Sequence, residues 1–133
     1  MTQEDKELLL KDLCARMPYG VKYVRTSWNY DTNQELPVIE TLECADKDGY
    51  INHRRVYTVD DIKPYLFPLS SMTEEQKQEL TNLVEESVFQ ILHSEDGNPQ
   101  PQIPMDWYNK NHFDYRGLIP KGLAIDATGL NIY

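Results

Sequence analysis

Two capping-box patterns flank a block of β-forming residues, and this arrangement constrains the fold more than any other feature of the chain. Thr2 with Asp5, and Thr73 with Gln76, each match the start of a helix, and apolar residues at helical spacing follow both pairs. Between them, residues 21–59 are rich in β-branched and aromatic side chains. The sequence therefore predicts the α+β class, with a sheet between two helical segments.

Apolar spacing and breaker residues set the bounds of the predicted helices. The first helix covers 3–16 and stops before Pro18. The second covers 74–93, and its apolar stripe begins at Leu80. A short third helix is predicted near 105–112, after a proline-rich turn cluster that ends the second.

The β-forming block divides into three runs, which predict three strands. The runs are VKYVRTSW, LPVIETLEC and YINHRRVYTV. The connection NYDTNQ suits a loose hairpin, and Gly49 suits a tight turn because it takes a positive φ readily. We expect a small antiparallel meander within a sheet of three to five strands, and closure into an SH3-like barrel is left open.

The segment VDDIKPYLFPL after the third run predicts a boundary in the chain. It indicates a helical turn at 60–63, followed by an extended strap held by Pro64 and Pro68. The chain as a whole is predicted to form one domain. Within it we distinguish a helix with the meander over 1–69 and a helical part with a tail over 70–133.

The charge of the chain bears on its partners. Its 133 residues carry a formal charge of −9, and residues 67–133 hold ten acidic and four basic side chains. Such a surface repels phosphate backbones, which disfavours nucleic acid as the partner. It attracts basic surfaces, so a basic protein is the favoured partner.

The N-terminus and the cysteines indicate a cytoplasmic protein. The start MTQEDKELLLKDL has acids where a signal peptide needs basic residues, and its apolar run is too short to span a membrane. Cys14 and Cys44 form no CxxC or Cys/His pattern, so neither a disulfide framework nor a zinc site is indicated. We expect both to be buried thiols.

No residue pattern indicates catalysis or a cofactor. Neither a Gly-rich phosphate loop nor a nucleophile in an elbow context occurs, so we predict a protein that is not an enzyme and uses no cofactor. The nearest metal-ligand pair is His112 with Asp114, which would need His53 or His93 as a third ligand. We therefore predict no metal site.

Phe89 is the most unusual residue of the second helix. At 100° per residue it falls in the centre of the polar arc, on the same side as Glu85 and Glu86. Either the tail folds over it with Trp107, Phe113 and Tyr115, or it is an exposed aromatic that contacts a basic partner.

The tail segment HFDYRG places two aromatic residues beside an Arg and an Asp. Arg116 can lie along a ring face or pair with a carboxylate, which predicts either a clasp that locks the tail or a binding edge. The candidate binding residues are Phe89, Glu85, Glu86, Trp107, Tyr115 and Arg116.

Three blocks of the chain resemble a known family. KELLLKDLCARMPYGV, VDDIKPYLFPLSSMTEEQ and DWYNKNHFDYRGLIPKGLAIDA, about half of the chain, are similar to a family of small uncharacterised proteins carried by Bacteroides, their phages and mobile elements. This chain has Met17 and Tyr108 where that family usually has Leu. The resemblance implies a cytosolic bacterial or phage setting and an accessory role, and it carries over no site residue.

Two classes of function remain. The preferred hypothesis is a non-enzymatic acidic accessory protein that binds a host or phage protein through its acidic helical half, with homo-oligomerisation left open. The alternative is a protein that sequesters a nucleotide signal, and an unrecognised type of enzyme is third. In the alternative, aromatic rings stack on the base and guanidinium groups pair with phosphates. Its candidate residues are Trp28, Tyr30, Trp107, Tyr115, Arg54, Arg55 and Arg116.

Overall fold

The computed structural model describes residues 1–46, 48–52, 54–93 and 105–133, and of residues 54–57 and 87–93 it describes the backbone. The helices are α1 (Gln3–Arg16), α2 (Glu74–His93) and α3 (Met105–Lys110). The strands are β1 (Lys22–Asn29), β2 (Gln34–Thr41), β3 (Tyr50–Ile51), β4 (Arg54–Thr58), β5 (Ile62–Pro68), β6 (Phe113–Asp114) and β7 (Ile125–Asp126). The predicted α+β class is confirmed.

Helix α1 begins at the predicted capping box. The Thr2 side chain accepts a hydrogen bond from the Asp5 N–H at 3.1 Å, and the Asp5 carboxylate accepts one from the Thr2 N–H. Leu9 and Leu13 on one face of α1 are fully buried. Cys14 is exposed and not buried as expected, because it lies 100° around the helix from Leu13.

The main sheet is mixed and not a purely antiparallel meander. Its strand order is β2-β1-β5-β6, and β7 pairs with β5 as well. The hairpin β1–β2 runs in unbroken antiparallel register, and β5 is antiparallel to β1, whereas β6 and β7 are parallel to β5. Among the described residues, no pairing joins β2 to β6, so the sheet does not close into an SH3-like barrel.

The third predicted strand is wrong in its placement. The run YINHRRVYTV forms β3 and β4, which pair with each other in a separate two-stranded sheet. The break comes at Asn52, whose φ of 50° turns the chain and whose side chain accepts the N–H groups of Glu43 and Cys44. Gly49 has a φ of 85°, which agrees with the predicted tight turn.

The predicted strap is instead strand β5, which pairs with three other strands of the sheet. Residues 59–61 form a 3-10 turn, and β5 then pairs with β1, β6 and β7. Pro64 is compatible with this position because it lies opposite Tyr23. The Leu42 N–H donates to the Val21 carbonyl, so Tyr23 and the other odd-numbered residues of β1 bond to β2, and the missing N–H of Pro64 faces away from β1.

The hydrophobic core takes residues from both ends of the chain. Leu118, Leu123 and Ala124 of the tail pack with Leu13 of α1 and Leu66 of β5. The other members of this core are Leu9, Val21, Tyr23, Leu42, Ile51, Val59 and Ile62. Residues from both predicted parts of the chain therefore share one core.

Helix α2 also begins at its predicted capping box. The Thr73 N–H donates to the Gln76 side chain at 2.9 Å, and the Gln76 N–H donates to the Thr73 hydroxyl at 3.2 Å. Leu80 and Leu83 are half-buried, and Val84 is 43% exposed.

In the part of the chain that the structure describes, no helix has the length and apolar character needed to cross a membrane.

Candidate functional site

Trp107 links the C-terminal tail to α2. It belongs to α3, is buried, and stacks on Phe113 with ring centroids 5.6 Å apart and 13° between the planes. Its indole N–H donates to the Glu79 carboxylate at 3.0 Å. A buried Trp thus has both a ring partner and an acceptor for its N–H, which is how such residues are stabilised.

Asp12 lies at the centre of a buried ion pair that joins α1 to the tail. Arg16 Nε donates to one carboxylate oxygen of Asp12 at 2.7 Å, and Arg116 Nε donates to the other at 3.1 Å. Asp12 and Arg16 are fully buried, and the Arg116 side chain is 15% exposed. One carboxylate therefore compensates two guanidinium groups in the interior.

Tyr115 lies against both guanidinium groups. Cζ of Arg16 is 5.1 Å and Cζ of Arg116 is 4.9 Å from the centre of its ring, which is within cation–π range. The Tyr115 hydroxyl donates to Asn109 Oδ1 at 2.9 Å and accepts from Arg116 at 3.2 Å. We call these residues the tail cluster: Asp12, Arg16, Trp107, Asn109, Phe113, Tyr115 and Arg116.

The sequence prediction missed Asp12 and Arg16. They are four residues apart in α1, and the same helical spacing relates them to the buried Leu9 and Leu13. An acid and a base at this spacing, next to an apolar stripe, are the sequence signal that could have identified the buried pair.

Asp114 and His112, the nearest predicted metal pair, have other contacts. Both carboxylate oxygens of Asp114 accept backbone N–H groups, those of Leu118 and Ile119, each at 2.9 Å. Within the described residues, no group of His, Cys, Asp and Glu could hold a metal ion. The side chains of His53 and His93 lie outside the described residues.

His112 stacks on Tyr133, with ring centroids 3.7 Å apart. Burial, and then the charges of Arg16 and Lys22, lower the pKa of His112 to about 4. Burial raises the pKa of Tyr133 to about 12, and its hydroxyl accepts from the Lys22 N–H and donates to the Tyr65 carbonyl, each at 2.8 Å. Both rings are therefore uncharged at neutral pH.

The described surface of α2 is acidic. We call five exposed glutamates the acidic helix face: Glu74, Glu75, Glu79, Glu85 and Glu86. Lys77 is the cation nearest to them in sequence, and its Nζ lies 3.2 Å from a Glu74 carboxylate oxygen. The backbone of Phe89 belongs to α2, but its side chain lies outside the described residues.

The candidate binding residues thus fall into two groups. Glu85 and Glu86 are on the exposed part of α2, and Trp107, Tyr115 and Arg116 are in the tail cluster. Among residues 1–46, 48–52, 54–93 and 105–133, the bond between Trp107 and Glu79 connects α2 to the tail cluster, and no hydrogen bond connects Glu85 or Glu86 to that cluster.

The residues proposed for nucleotide binding are also separated. Trp28 is 48% exposed and Tyr30 is 85% exposed at the far end of the β1–β2 hairpin. In the described part of the chain, no ring contact or hydrogen bond connects either of them to Tyr115 or Arg116. The side chains of Arg54 and Arg55 lie outside the described residues.

Comparison with known protein families, with curated protein sequences and with solved structures gives no match. The functional argument therefore depends on the geometry of this chain.

Proposed function

We propose that the protein is a non-enzymatic interaction protein that binds a basic surface of a partner protein through the acidic helix face. The observation that carries this proposal is the exposure of five glutamates on one stretch of α2, with Lys77 as the one basic residue among residues 74–86. The negative electrostatic potential of these glutamates accelerates association with a cationic surface and disfavours anionic partners.

The contacts of the tail cluster support the same proposal. Arg116 and Tyr115 of this cluster, and the neighbouring Asp114, have the chemistry that a binding pocket or catalytic site would need. The Arg116 Nε, the Tyr115 hydroxyl and the Asp114 carboxylate are instead engaged in internal hydrogen bonds. The bond from Trp107 to Glu79 holds α2 against the tail. The other four glutamates of the acidic helix face therefore lie on a helix that is attached to the rest of the protein.

The partner class follows from charge. A basic groove that ordinarily binds nucleic acid would match the acidic helix face, and an accessory protein could act by occupying that groove. The resemblance to proteins of Bacteroides phages and mobile elements suggests a host or phage protein in the bacterial cytoplasm as this partner. We include both the setting and the accessory role in the proposal.

Phe89 is included in the proposed surface on sequence spacing. It follows Glu85 by four residues and Glu86 by three, which is the spacing of neighbours on a helix. An aromatic residue surrounded by carboxylates would contribute most of the binding free energy, while the charges would set the rate of association.

The test is a comparison of three forms of the chain as bait for a bacterial lysate at low salt. The forms are the wild type, a Glu85→Gln/Glu86→Gln variant, and a Glu4→Gln/Glu7→Gln variant that removes the same charge from exposed positions of α1. We expect the wild type and the α1 variant to retain the same basic protein, and the α2 variant to lose it.

Salt provides the second arm of this test. Retention should disappear at about 1 M NaCl, where the Debye length falls to about 3 Å. Equal retention by the two double variants, or retention that high salt leaves unchanged, would refute an electrostatic role for the acidic helix face.

A further inference from the structure

Helix α2 differs from α1 in how little of it is buried. Residues 74–86, the part of α2 whose side chains the structure describes, are all half-buried or exposed, and the hydrophobic core includes none of them. Helix α1 is shorter, with 14 residues against 20, yet it buries Leu9, Leu13 and Arg16. Most helical stability in proteins comes from the packing of an apolar face. The described part of α2 leaves much of such a face uncovered.

The apolar face of α2 is a narrow stripe. Leu83 and Val84 follow Leu80 by three and four residues, which places all three on one side of the helix. In the sequence, three more apolar residues within 88–92 continue the same spacing toward the end of the helix. We call Leu80, Leu83 and Val84 the α2 stripe.

Glutamates border the α2 stripe on both sides. At about 100° per residue, Glu79 and Glu86 lie about 100–120° from Leu80 in one direction. Glu85 lies about 140° from Leu80 in the other direction. Among the residues whose side chains the structure describes, no ion pair or hydrogen bond involves the carboxylate of Glu85 or Glu86. Each edge of the stripe therefore has a carboxylate that is available to a cation.

A stripe with these borders selects one kind of partner. Two helices pack through apolar residues at three- and four-residue spacing, and the charges beside that seam determine which helices pair. A helix with Lys or Arg on both sides of its own apolar stripe would place cations against Glu85 and Glu86. Such a helix matches α2 both in apolar surface and in charge.

A second copy of α2 matches this surface poorly. Residues 74–86 contain five glutamates and one lysine, so pairing of two copies would bring carboxylates together, and like charges across an interface are unfavourable. The same glutamates repel an anionic lipid surface. A basic helix of another protein is therefore the occupant that the charges favour.

We propose that the α2 stripe docks an amphipathic helix of a partner protein, whose apolar side chains pack on the stripe and whose Lys or Arg residues pair with Glu85 and Glu86. This inference rests on the proposed function for the basic charge of the partner. It adds the secondary structure of the partner and the surface that the partner covers. Phe89 lies about 180° from Leu80 around the helix, so it is outside this surface.

The test titrates three synthetic peptides of about 18 residues into the intact chain. The first has Leu at three- and four-residue spacing with Lys on both sides of the Leu stripe. The second has Glu in place of Lys, and the third has the composition of the first in an order that forms no stripe. By calorimetric titration, we expect the first peptide to bind about tenfold more tightly than either of the others. Far-ultraviolet circular dichroism of the mixture should show that it gains helix on binding.

Two matched variants locate the binding surface. Leu80→Gln/Val84→Gln makes the stripe polar with a residue that favours helix, and it should weaken binding of the Lys peptide about tenfold. Leu36→Gln/Ile39→Gln removes two exposed apolar side chains from the β1–β2 hairpin and should bind the peptide like the wild type. Because Leu80 is half-buried, the wild type is also followed by NMR. The Lys peptide should shift the amide signals of residues 80–86 and leave those of residues 34–41 in place.

This inference and the proposed function fail in different ways. If Glu85→Gln/Glu86→Gln weakened binding of the Lys peptide and Leu80→Gln/Val84→Gln did not, the acidic helix face would bind cations without a docked helix, and the inference would be wrong. Equal binding of the Lys and Glu peptides would refute the charge preference that the inference shares with the proposed function.

Three further results would overturn the docked helix. These are equal binding of the two Lys peptides with and without a stripe, binding of the first peptide without a gain of helix, and amide shifts outside α2 alone. Dimerisation of the wild type in sedimentation that Leu80→Gln/Val84→Gln abolishes would instead identify a second copy of the chain as the occupant of the stripe.

Discussion

At the scale of single residues, the tail cluster depends on Asp12, because its carboxylate pairs with two guanidinium groups in the interior. Asp12→Asn keeps the side-chain volume but leaves Arg16 buried without a counter-charge. We expect a loss of about 3–5 kcal/mol in the free energy of unfolding, measured by urea denaturation. Arg116→Ala should cost less, about 1.5 kcal/mol, since Asp12 stays paired with Arg16.

The informative result is that Asp12→Asn should lose more free energy of unfolding than Arg116→Ala. Lys121→Ala, which removes an exposed cation of the tail, is the matched control and should stay within about 0.5 kcal/mol of the wild type. If Arg116→Ala left stability unchanged, the contact between Arg116 and Asp12 would contribute nothing to stability, and Arg116 would be available for binding.

His112 should make stability depend on pH. Its pKa is lowered to about 4 in the folded chain from an ordinary value of 6.5, so the unfolded chain binds more protons between these values. The contribution of His112 is therefore fully present above pH 6.5 and is lost as the pH falls toward 4. In His112→Asn, which suits the left-handed φ of 62°, the urea midpoint should fall less between pH 7 and pH 4.5.

Comparing how the urea midpoint changes with pH in the two proteins separates the titration of His112 from the loss of its ring stacking. His112→Asn lowers stability at every pH because the ring on Tyr133 is gone, whereas the titration of other groups is common to both proteins. If the urea midpoint changed equally with pH in the wild type and in the variant, His112 would have the same pKa in the folded and unfolded chains.

At the scale of elements, local signals in the sequence predicted the helices well. The capping boxes at Thr2 and Thr73 start α1 and α2 as expected, because caps depend on residues within one turn. Strand β5 was missed because Pro64 and Pro68 are usual in extended straps, and its place in the sheet depends on partners far along the chain. Strands β6 and β7 have two residues each, too few for any periodicity.

The candidate site was predictable only in part, for the same reason. The acidity of α2 can be read directly from its glutamates. The burial of Arg116 depends on Asp12, which lies 104 residues away in the sequence. Long-range register is not encoded in spacing along one segment.

The two helix caps should differ in their effect on the whole protein. Thr2→Ala and Thr73→Ala each remove a cap worth about 1 kcal/mol. Since α1 buries Leu9 and Leu13, Thr2→Ala should lower the global free energy of unfolding by about that amount. The first turns of α2 are mostly exposed, so Thr73→Ala should instead speed amide exchange at the start of α2 and change the urea midpoint less.

Conservative variants provide the control for the caps. Thr2→Ser and Thr73→Ser keep the hydroxyl acceptor and should behave like the wild type. Equal shifts of the urea midpoint in Thr2→Ala and Thr73→Ala would mean that α2 unfolds together with the core.

At the scale of the whole molecule, the tail completes a core that the first half begins. Leu118 is fully buried with Leu13 and Leu66, and the Ala127 N–H donates to the Leu66 carbonyl at 2.8 Å. The same tail supplies Phe113, whose carbonyl accepts from the buried Arg16. The acidic helix face lies outside this core and contacts the tail cluster through the bond between Glu79 and Trp107.

This shared core predicts that the chain unfolds in one step. Leu13→Ala in α1 and Leu118→Ala in the tail should each cost about 2–5 kcal/mol, because both side chains have no exposed surface. Each variant should show one transition, with the same midpoint by far-ultraviolet circular dichroism and by tryptophan fluorescence. Leu36→Ala on the hairpin, where the side chain is 41% exposed, should cost well under either. If Leu118→Ala shifted the fluorescence midpoint but not the circular dichroism midpoint, the tail would be unfolding before the rest, and the tail cluster would be a separately stable unit.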